Sequence, residues 1–180
     1  MVDDLLDYHR VESGKIRLKL QECNINSLLQ ECADMFVDIA AKKSIAVSVA
    51  SSVPLVGDID HDRILQVLSN LVANAVKFIQ HGGQIILEAR EAKSEIQIRV
   101  EDNGPGISSD LIPKIFKRFS QLDQKDRTGL GLGLYISQAI VESHGGRIHV
   151  QSELGKGANF VVSIPLAAKQ TSEIDFSHNR

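Results

Sequence analysis

Three residues set the chemistry this chain can do: Asn70, Asn74 and Lys77, at i, i+4 and i+7 of one periodic run. On a helix that spacing puts two amides and an ammonium on one face, with Gln66 a turn earlier. Asparagine is a poor helix-interior residue, so the pair needs a reason. One reading is a solvated helix face. The other is a site for a metal ion and phosphates, because an amide oxygen is a hard ligand suited to Mg2+, which keeps waters and shares phosphate oxygens. A second stretch, Asp102-Asn103-Gly104-Pro105-Gly106, puts a carboxylate ahead of two glycines. Glycine lets backbone approach a flat ligand closely, and the carboxylate can accept a hydrogen bond from an exocyclic amine such as that of adenine. The same run also reads as a plain turn. A third stretch, Gly129-Leu130-Gly131-Leu132-Gly133-Leu134, opens a helix. Alternate glycines there leave backbone N–H groups facing an anion with the helix dipole behind them; the alternative is close helix–strand packing.

The elements that must position these residues follow from periodicity. Asp60 caps a helix running to about Phe78, buried along Ile64, Leu68, Leu71 and Ala75. Glu95 to Glu101 alternates as a strand, with Ile96, Ile98 and Val100 on one side, and pairs with Gln84 to Ala92 through a Lys93-Ser94 turn. The third stretch leads a helix to about His144, buried along Ile136, Ala139 and Ile140 and ended by Gly145-Gly146. Two strands follow, Arg147 to Ser152 and Asn159 to Ile164, joined by a connection in which Gly155 and Gly157 read as hairpin residues. Upstream, residues 1 to about 13 read as the end of a helix and Lys15 to Leu20 as a strand. Ser27 to about Lys43 reads as a helix capped by Asn24 or Asn26, with Leu28, Leu29, Cys32, Met35, Phe36, Ile39 and Ala40 on its apolar face. Ile45 to Ala50 is a strand, and Pro54 and Gly57 bound a short extended piece. Ser108 or Ser109 caps a short helix that Pro113 bends or breaks, and Ser120 to Thr128 is a polar loop. Residues 167 to 180 are an aperiodic tail or linker.

Composition narrows the classes. The 180 residues suffice for one domain with an appendage; 43% are hydrophobic and 24% charged, which favours a globular, soluble class. A net charge of −3 gives no global attraction for nucleic acid or an anionic membrane, so a phosphate site must be local. Cys23 and Cys32 are too few for a disulfide scaffold, and on a helix they would not bridge, which fits a reduced, cytoplasmic setting. No apolar run reaches membrane-spanning length.

Taken together and in order, N-L-V-A-N-A-V-K-F (Asn70 to Phe78), D-N-G-P-G-I (Asp102 to Ile107) and G-L-G-L-G-L (Gly129 to Leu134) resemble the catalytic ATP-binding domain of sensor histidine kinases. Phe116 to Phe119 resembles that family's F box, and Gly155 to Phe160 its last glycine motif. The opening segment D-D-L-L-D-Y-H-R-V-E-S-G-K resembles the end of the second dimerisation helix. The resemblance covers residues 1 to about 166. It implies residues 1–14 as that helix end, 15–166 as the catalytic domain and 167–180 as tail or linker. It also implies an α/β sandwich of Bergerat type, with one mixed, mostly antiparallel sheet covered on one face by helices.

What the resemblance implies for the site is specific. ATP would lie between the Asn-box helix and a lid from about Phe119 to Leu130. Asp102 would take the adenine amine, with Gly104 and Gly106 shaping the base pocket beside Ile107. Asn74 would coordinate Mg2+, supported by Asn70; Lys77 would contact phosphate, and Phe78 would line the pocket. Phe119, Gly129, Leu130, Gly131, Leu132, Gly133 and Leu134 would form the lid edge and the helix start that close on the phosphates. Hydrolytic relatives of this fold carry a glutamate where Asn70 stands; an amide is no general base at neutral pH, so transfer to an acceptor is favoured over hydrolysis. The acceptor histidine would sit on a first dimerisation helix outside this sequence. None of His9, His61, His81, His144, His149 or His178 has its H-E/D-x-x-x-P setting. The chain is therefore expected to be a monomer or weak dimer, its full-length kinase a homodimer, and a response-regulator receiver domain an indirect partner. The lid is shorter than usual, Leu130 stands where Thr or Ser is common, and Ala158 replaces a usual Ser or Thr. These departures leave two competitors: a degenerate nucleotide-responsive binding module, and a serine-kinase or anti-sigma member of the same fold.

Overall fold

The computed structural model describes residues 2–12, 16–50, 53–120 and 131–166. At its centre lies β5 (Glu95–Asp102), whose Ile96, Ile98 and Val100 are buried. It pairs antiparallel with β4 (Gln84–Ala92) on one side and β7 (Ala158–Pro165) on the other. β2 (Ala46–Val49) adds to β4 in parallel, and β6 (Arg147–Ser152) adds to β7 antiparallel, giving the order β2-β4-β5-β7-β6. The sheet is mixed and mostly antiparallel, as expected from the sequence.

Three helices cover one face. They are α2 (Ile25–Ala41), α3 (His61–Phe78) and α4 (Gly133–Ser143). Against them the sheet presents Ile85, Leu87, Ile96, Ile98, Phe160, Val162 and Ile164, all buried. Each such side chain contributes about 1.5–3 kcal/mol when fully buried. The opposite face is polar: Arg99 pairs with Glu88 at 3.1 Å and Glu101 at 2.8 Å, and Arg147 pairs with Glu95 through two bonds of 2.5 and 2.8 Å. Alternation along β5 thus separates an apolar face from a charged one. No described helix is long and apolar enough to cross a membrane.

Several expectations change. Residues 16–20 form no strand; the strand is β1 (Gln21–Asn24), paired with β3 (Val56–Ile59) in a separate two-stranded sheet. The alternating segment before it has no ladder partner, and the Lys19 N–H donates to Asp60 Oδ2 at 2.7 Å instead. Asn24, not Asn26, caps α2, its side chain accepting from the Ser27 N–H. Met35 and Ile39, expected on the buried face of α2, are 54% and 52% exposed, because the helix buries Ile25, Leu28, Leu29, Cys32, Ala33 and Ala40. Cys23 lies on β1 and Cys32 on α2, both buried thiols. The helix expected after Ser108 is only a 3₁₀ turn, Ile112–Lys114, since Pro113 removes an N–H donor at its start. Asp60 caps α3 as expected, accepting from the Arg63 N–H at 3.1 Å. The tail from 167 and most of the lid, residues 121–130, lie outside the described residues.

The opening helix α1 (Val2–Glu12) packs on α3 and α4. Asp7, 8% exposed, accepts from Arg63 at 3.0 Å, Arg10 at 3.1 Å and Gln66 at 2.7 Å. Burial pushes its carboxyl up, but the bonds from Gln66 and Arg63 and the Arg63 charge outweigh this and hold it below the ordinary value. Arg118 donates to Glu12 at 2.9 Å and to the Tyr8 hydroxyl at 3.3 Å, and the Tyr135 hydroxyl donates to Glu12 at 3.1 Å.

Candidate functional site

α3 is the beam of the site, and its sequence explains its span. Ile64, Val67, Leu68, Leu71, Val72, Ala75 and Val76 give it a wide buried stripe, while Asn70, Asn74 and Lys77 sit half-buried at the stripe's edge. At its N-terminal half, Asn70 Nδ2 donates to the Ser137 hydroxyl of α4 at 3.0 Å. A Cβ on Gly133 would overlap the Asn70 amide, so glycine there lets α4 begin directly against α3. Close packing therefore accounts for Gly133, and it is helix–helix packing, where the sequence offered helix–strand packing as the alternative to anion binding.

At its C-terminal end, α3 meets the Asp102 loop. Ile79, 3% exposed, lies 3.2 Å from where a Gly104 Cβ would stand. Lys77 Nζ sits 5.3 Å from the centre of the Phe78 ring, which is 39% exposed. Between the two ends stands Asn74, whose side-chain amide has no hydrogen-bond partner among the described residues.

The Asp102 loop is tied by hydrogen bonds to itself, to β4 and to the β6–β7 hairpin. Asp102 Oδ1 accepts the Gly104 N–H at 2.8 Å, and Asn103 Oδ1 accepts the Gln84 N–H at 2.8 Å. The Ile107 N–H donates to the Ser152 hydroxyl at 2.8 Å, which itself donates to the Gly157 carbonyl at 2.6 Å. The Gly155 N–H donates to the Pro105 carbonyl at 2.7 Å. Gly106 and Gly157 both have positive φ, +72° and +79°, and a Cβ on either would overlap backbone: Glu153 in the first case, Asp102 in the second. The β6–β7 hairpin thus clamps the loop that carries Asp102. Burial raises the Asp102 carboxyl above the ordinary value, opposed by the Gly104 and Ala158 N–H groups.

On the third side, α4 starts without a side-chain cap: Leu132 precedes it, and no acidic residue stands in its first turn. The first-turn N–H groups are thereby left for another acceptor. Leu132 is buried and Leu134 partly so, their side chains packed in the core. Gly131, at φ +66°, crosses residues 119–120; a Cβ there would come within 2.8 Å of the Ser120 carbonyl oxygen. Phe119, expected to face nucleotide, is 60% exposed at φ +58°, its ring 6.0 Å from that of Tyr8. Gly129 and Leu130 lie outside the described residues.

The structure thus sets Asn70, Asn74, Lys77 and Phe78 on α3, brings Gly133 against Asn70 and Gly104 against the Ile79 cap, and holds Gly106 and Ile107 on the β6–β7 hairpin and Gly131 on residues 119–120. It adds residues that the sequence reading missed: Ser137, Ser152, Asn103 and Lys43. Ser137 and Ser152 are small polar groups near a motif and Asn103 lies inside one, and only that position marks them. Among the described residues no group of three or more His, Cys, Asp or Glu side chains could hold a metal.

One mixed sheet carrying its helices on a single face, with a glycine-bearing carboxylate loop at a strand end packed on the end of a helix, defines a Bergerat-type α/β domain. Residues 59–168 match the family described as histidine kinase-, DNA gyrase B- and HSP90-like ATPase, and the chain belongs to that family, as the ATP-binding catalytic domain of a sensor histidine kinase. It is 35% identical over 168 residues to the alginate biosynthesis sensor protein KinB of Pseudomonas aeruginosa, covering 92% of this chain and 28% of that protein. Among solved structures it resembles full-length ShkA in complex with AMPPNP, with a TM-score of 0.85 and 35% identity over 93% of this chain and 35% of that one. The nucleotide-free catalytic domain of the histidine kinase ThkA matches with a TM-score of 0.75 and 31% identity, covering 83% of this chain and 97% of that one. ThkA is also solved with the response regulator protein TrrA, where the match has a TM-score of 0.74 and 28% identity over 91% of this chain and 47% of that one. The chain spans under a third of KinB and about a third of ShkA.

Proposed function

We propose that this domain binds Mg-ATP along α3 and transfers the γ-phosphoryl group to a histidine on a dimerisation helix outside the 180 residues. One observation carries the reading. α3 brings an amide with no described partner, Asn74, between an uncapped helix start and a clamped carboxylate, Asp102. Adenine fits the carboxylate end, where Asp102 offers an acceptor to its amine and the Gly104 and Gly106 backbones admit a flat ring. Phosphates fit along the face of α3 that runs from Lys77 toward the first-turn N–H groups of α4.

The donor set suits a hard, partly hydrated cation. Asn74 contributes one amide oxygen and no described acidic cage surrounds it, which matches an ion that shares its coordination with phosphates. When bound, Mg2+ neutralises charge on the phosphate oxygens. The chain's own residues position and exclude. Asn70, tied to Ser137, holds α4 against α3 and offers no base to activate water. Lys77 and the α4 N–H groups stabilise charge as the phosphoryl group leaves.

In this reading residues 1–14 are the end of the second dimerisation helix, 15–166 the catalytic domain and 167–180 a tail or linker. The kinase is a cytoplasmic homodimer whose phosphohistidine serves a response-regulator receiver domain, while the fragment itself is a monomer or weak dimer. The ThkA–TrrA pair supports such a partnership. The test is trans-phosphorylation: the chain, Mg-ATP and a separate helical hairpin carrying the acceptor histidine are mixed, and acid-labile phosphate on the hairpin is measured. Label on the hairpin that disappears with Asn74→Ala supports the reading. Mg-ATP binding without any label supports a nucleotide-responsive binding module instead.

A further inference from the structure

α3 reaches its C-terminus without the usual means of ending a helix. No glycine follows to turn the chain left-handed; Ile79 is the cap, in extended conformation, and Gln80 comes next. The last carbonyls of a helix have no intrahelical donors and must find others. Here one side chain supplies them. Lys43, half-buried in the turn between α2 and β2, donates from Nζ to the carbonyls of Val76 at 2.8 Å, Lys77 at 3.1 Å and Ile79 at 3.2 Å.

The turn holding Lys43 is itself fixed. Its own N–H and that of Ile45 both donate to Ala40, and Ser44 adopts φ +54°. The Gly82 N–H donates to the Lys43 carbonyl at 3.1 Å, and the Ala46 N–H to Gly83 at 2.9 Å. Lys43 therefore ties the end of α3 to both the start of β2 and the start of β4. Three hydrogen bonds use all the donors of an ammonium, and a cation at a helix C-terminus is favoured by the dipole as well. The residues so held are Lys77 and Phe78, the two at this end that face the proposed nucleotide.

We infer that Lys43 is a positioning residue for the nucleotide site: it fixes the end of α3 so that Lys77 and Phe78 are presented to ATP in one geometry. This rests on the reading of α3 as the ATP-binding helix. The ammonium acts through the backbone of its neighbours and need not touch ATP itself. A slackened helix end would misplace the Lys77 side chain, and losing a hydrogen bond to a charged group costs on the order of tenfold to a hundredfold in affinity.

The experiment is a mutant cycle on the full 180-residue chain, read as Mg-ATP affinity by calorimetry. Lys43→Met removes every donor; Lys43→Arg keeps donors and charge; Lys43→Gln keeps one amide donor and runs the same cycle with a smaller perturbation. The expected result is an affinity about tenfold weaker for Lys43→Met and largely restored by Lys43→Arg. In a Lys77→Met background the effect of Lys43→Met shrinks to less than about twofold, while with Asn70→Ala, about two turns away on α3 and tied to α4, it multiplies in full. A general loosening of the fold would act equally on both backgrounds. Amide exchange without ligand provides an independent check: residues 76–79 exchange faster in Lys43→Met while residues 66–71 do not. Wild type that binds no Mg-ATP at millimolar concentration refutes the nucleotide reading and this inference with it. Wild type that binds, with Lys43→Met binding equally or with its loss undiminished by Lys77→Met, refutes the role of Lys43 alone.

Discussion

Asp102→Asn is the perturbation whose cost follows most directly from the geometry. The carboxylate faces donors: the Gly104 N–H reaches Oδ1 at 2.8 Å, and the Ala158 N–H also favours the charged form. In the proposed complex the adenine amine is a further donor. A carboxylate meets all of them with acceptor lone pairs alone. An asparagine of the same size does not. If its oxygen stays on the Gly104 N–H, its NH2 group faces the adenine amine, donor against donor. If it flips, the NH2 group faces the Gly104 N–H. Either way one buried donor loses its partner, which costs about 1–3 kcal/mol. At 25 °C that is roughly a 5- to 150-fold loss of ATP affinity.

The assay compares ATP with inosine triphosphate, which carries a carbonyl where ATP has the amine, on both proteins by calorimetry. Wild type is expected to prefer ATP. Asp102→Asn is expected to lose that preference or reverse it, because its NH2 group can donate to the inosine carbonyl. The reasoning fails if the mutant binds ATP as wild type does, or if ATP and inosine triphosphate weaken by the same factor. An equal loss would mean that the mutation disturbs the loop and leaves base reading unaddressed.

Other outcomes follow from single contacts. Gly157→Ala, at φ +79° with its Cβ overlapping the Asp102 carbonyl, is expected to cost more than about 2 kcal/mol in urea unfolding, whereas Gly155→Ala, at the same φ with nothing within 4 Å, costs only about 1–2 kcal/mol for the backbone conformation. The chain has no tryptophan and two tyrosines, Tyr8 and Tyr135, with rings 6.1 Å apart, so tyrosine emission reports the docking of α1. It should change with Asp7→Ala; in wild type the Asp7 contribution, from a depressed pKa, is fully present above the ordinary 3.8 and lost as pH falls through the lower folded value. Burial, the Glu12 hydrogen bond and the Glu12 charge raise the Tyr135 phenol above the ordinary 10.0; in a Tyr8→Phe background, Glu12→Gln is expected to lower it in an ultraviolet titration. Ser163, fully buried with no partner for its hydroxyl among the described residues, should accept alanine with stability unchanged or raised by about 1 kcal/mol, read from the urea midpoint.

How much of this was legible depends on where each signal resides. Asp60 as the cap of α3, the Lys93-Ser94 hairpin and the alternation of β5 came through because each is a local pattern with a local cause. Residues 16–20 alternate just as well, yet no strand pairs with them, and pairing is a property of the whole chain. Met35 and Ile39 satisfy helical periodicity and still face outward, since periodicity defines a stripe but not its width against a particular neighbour. In the site, the three glycine runs were visible as runs, but their reasons were not. Gly157 is glycine because the Asp102 backbone passes over it, and Gly133 because the Asn70 side-chain amide lies against it. Lys43 carried no signal at all: a lysine at the end of a helix is ordinary until the carbonyls it meets are known.

The two ends of the proposed nucleotide site are held by different kinds of contact, and this has a consequence for binding. At the Asp102 end, three backbone-directed bonds from Gly104, Ile107 and Gly155, with a hairpin packed against the loop, leave the proposed base pocket little freedom. A preorganised pocket loses little conformational entropy when it fills. At the opposite end the partners are side chains: Asn70 on Ser137, Tyr8 against Phe119, Arg118 on Glu12. Side-chain contacts on an exposed helix are individually weak and exchange readily. Arg118, next to Phe119 at the edge of the lid, is therefore held by the same helix, α1, that the sequence resembles as the carrier of the dimerisation domain. Displacement of α1 frees Arg118 and Phe119 while leaving the Asp102 pocket intact. In Glu12→Ala the affinity for adenosine should then match wild type while that for Mg-ATP shifts, measured side by side. An equal shift in both would mean that α1 supports the whole site and that the two ends are not separable.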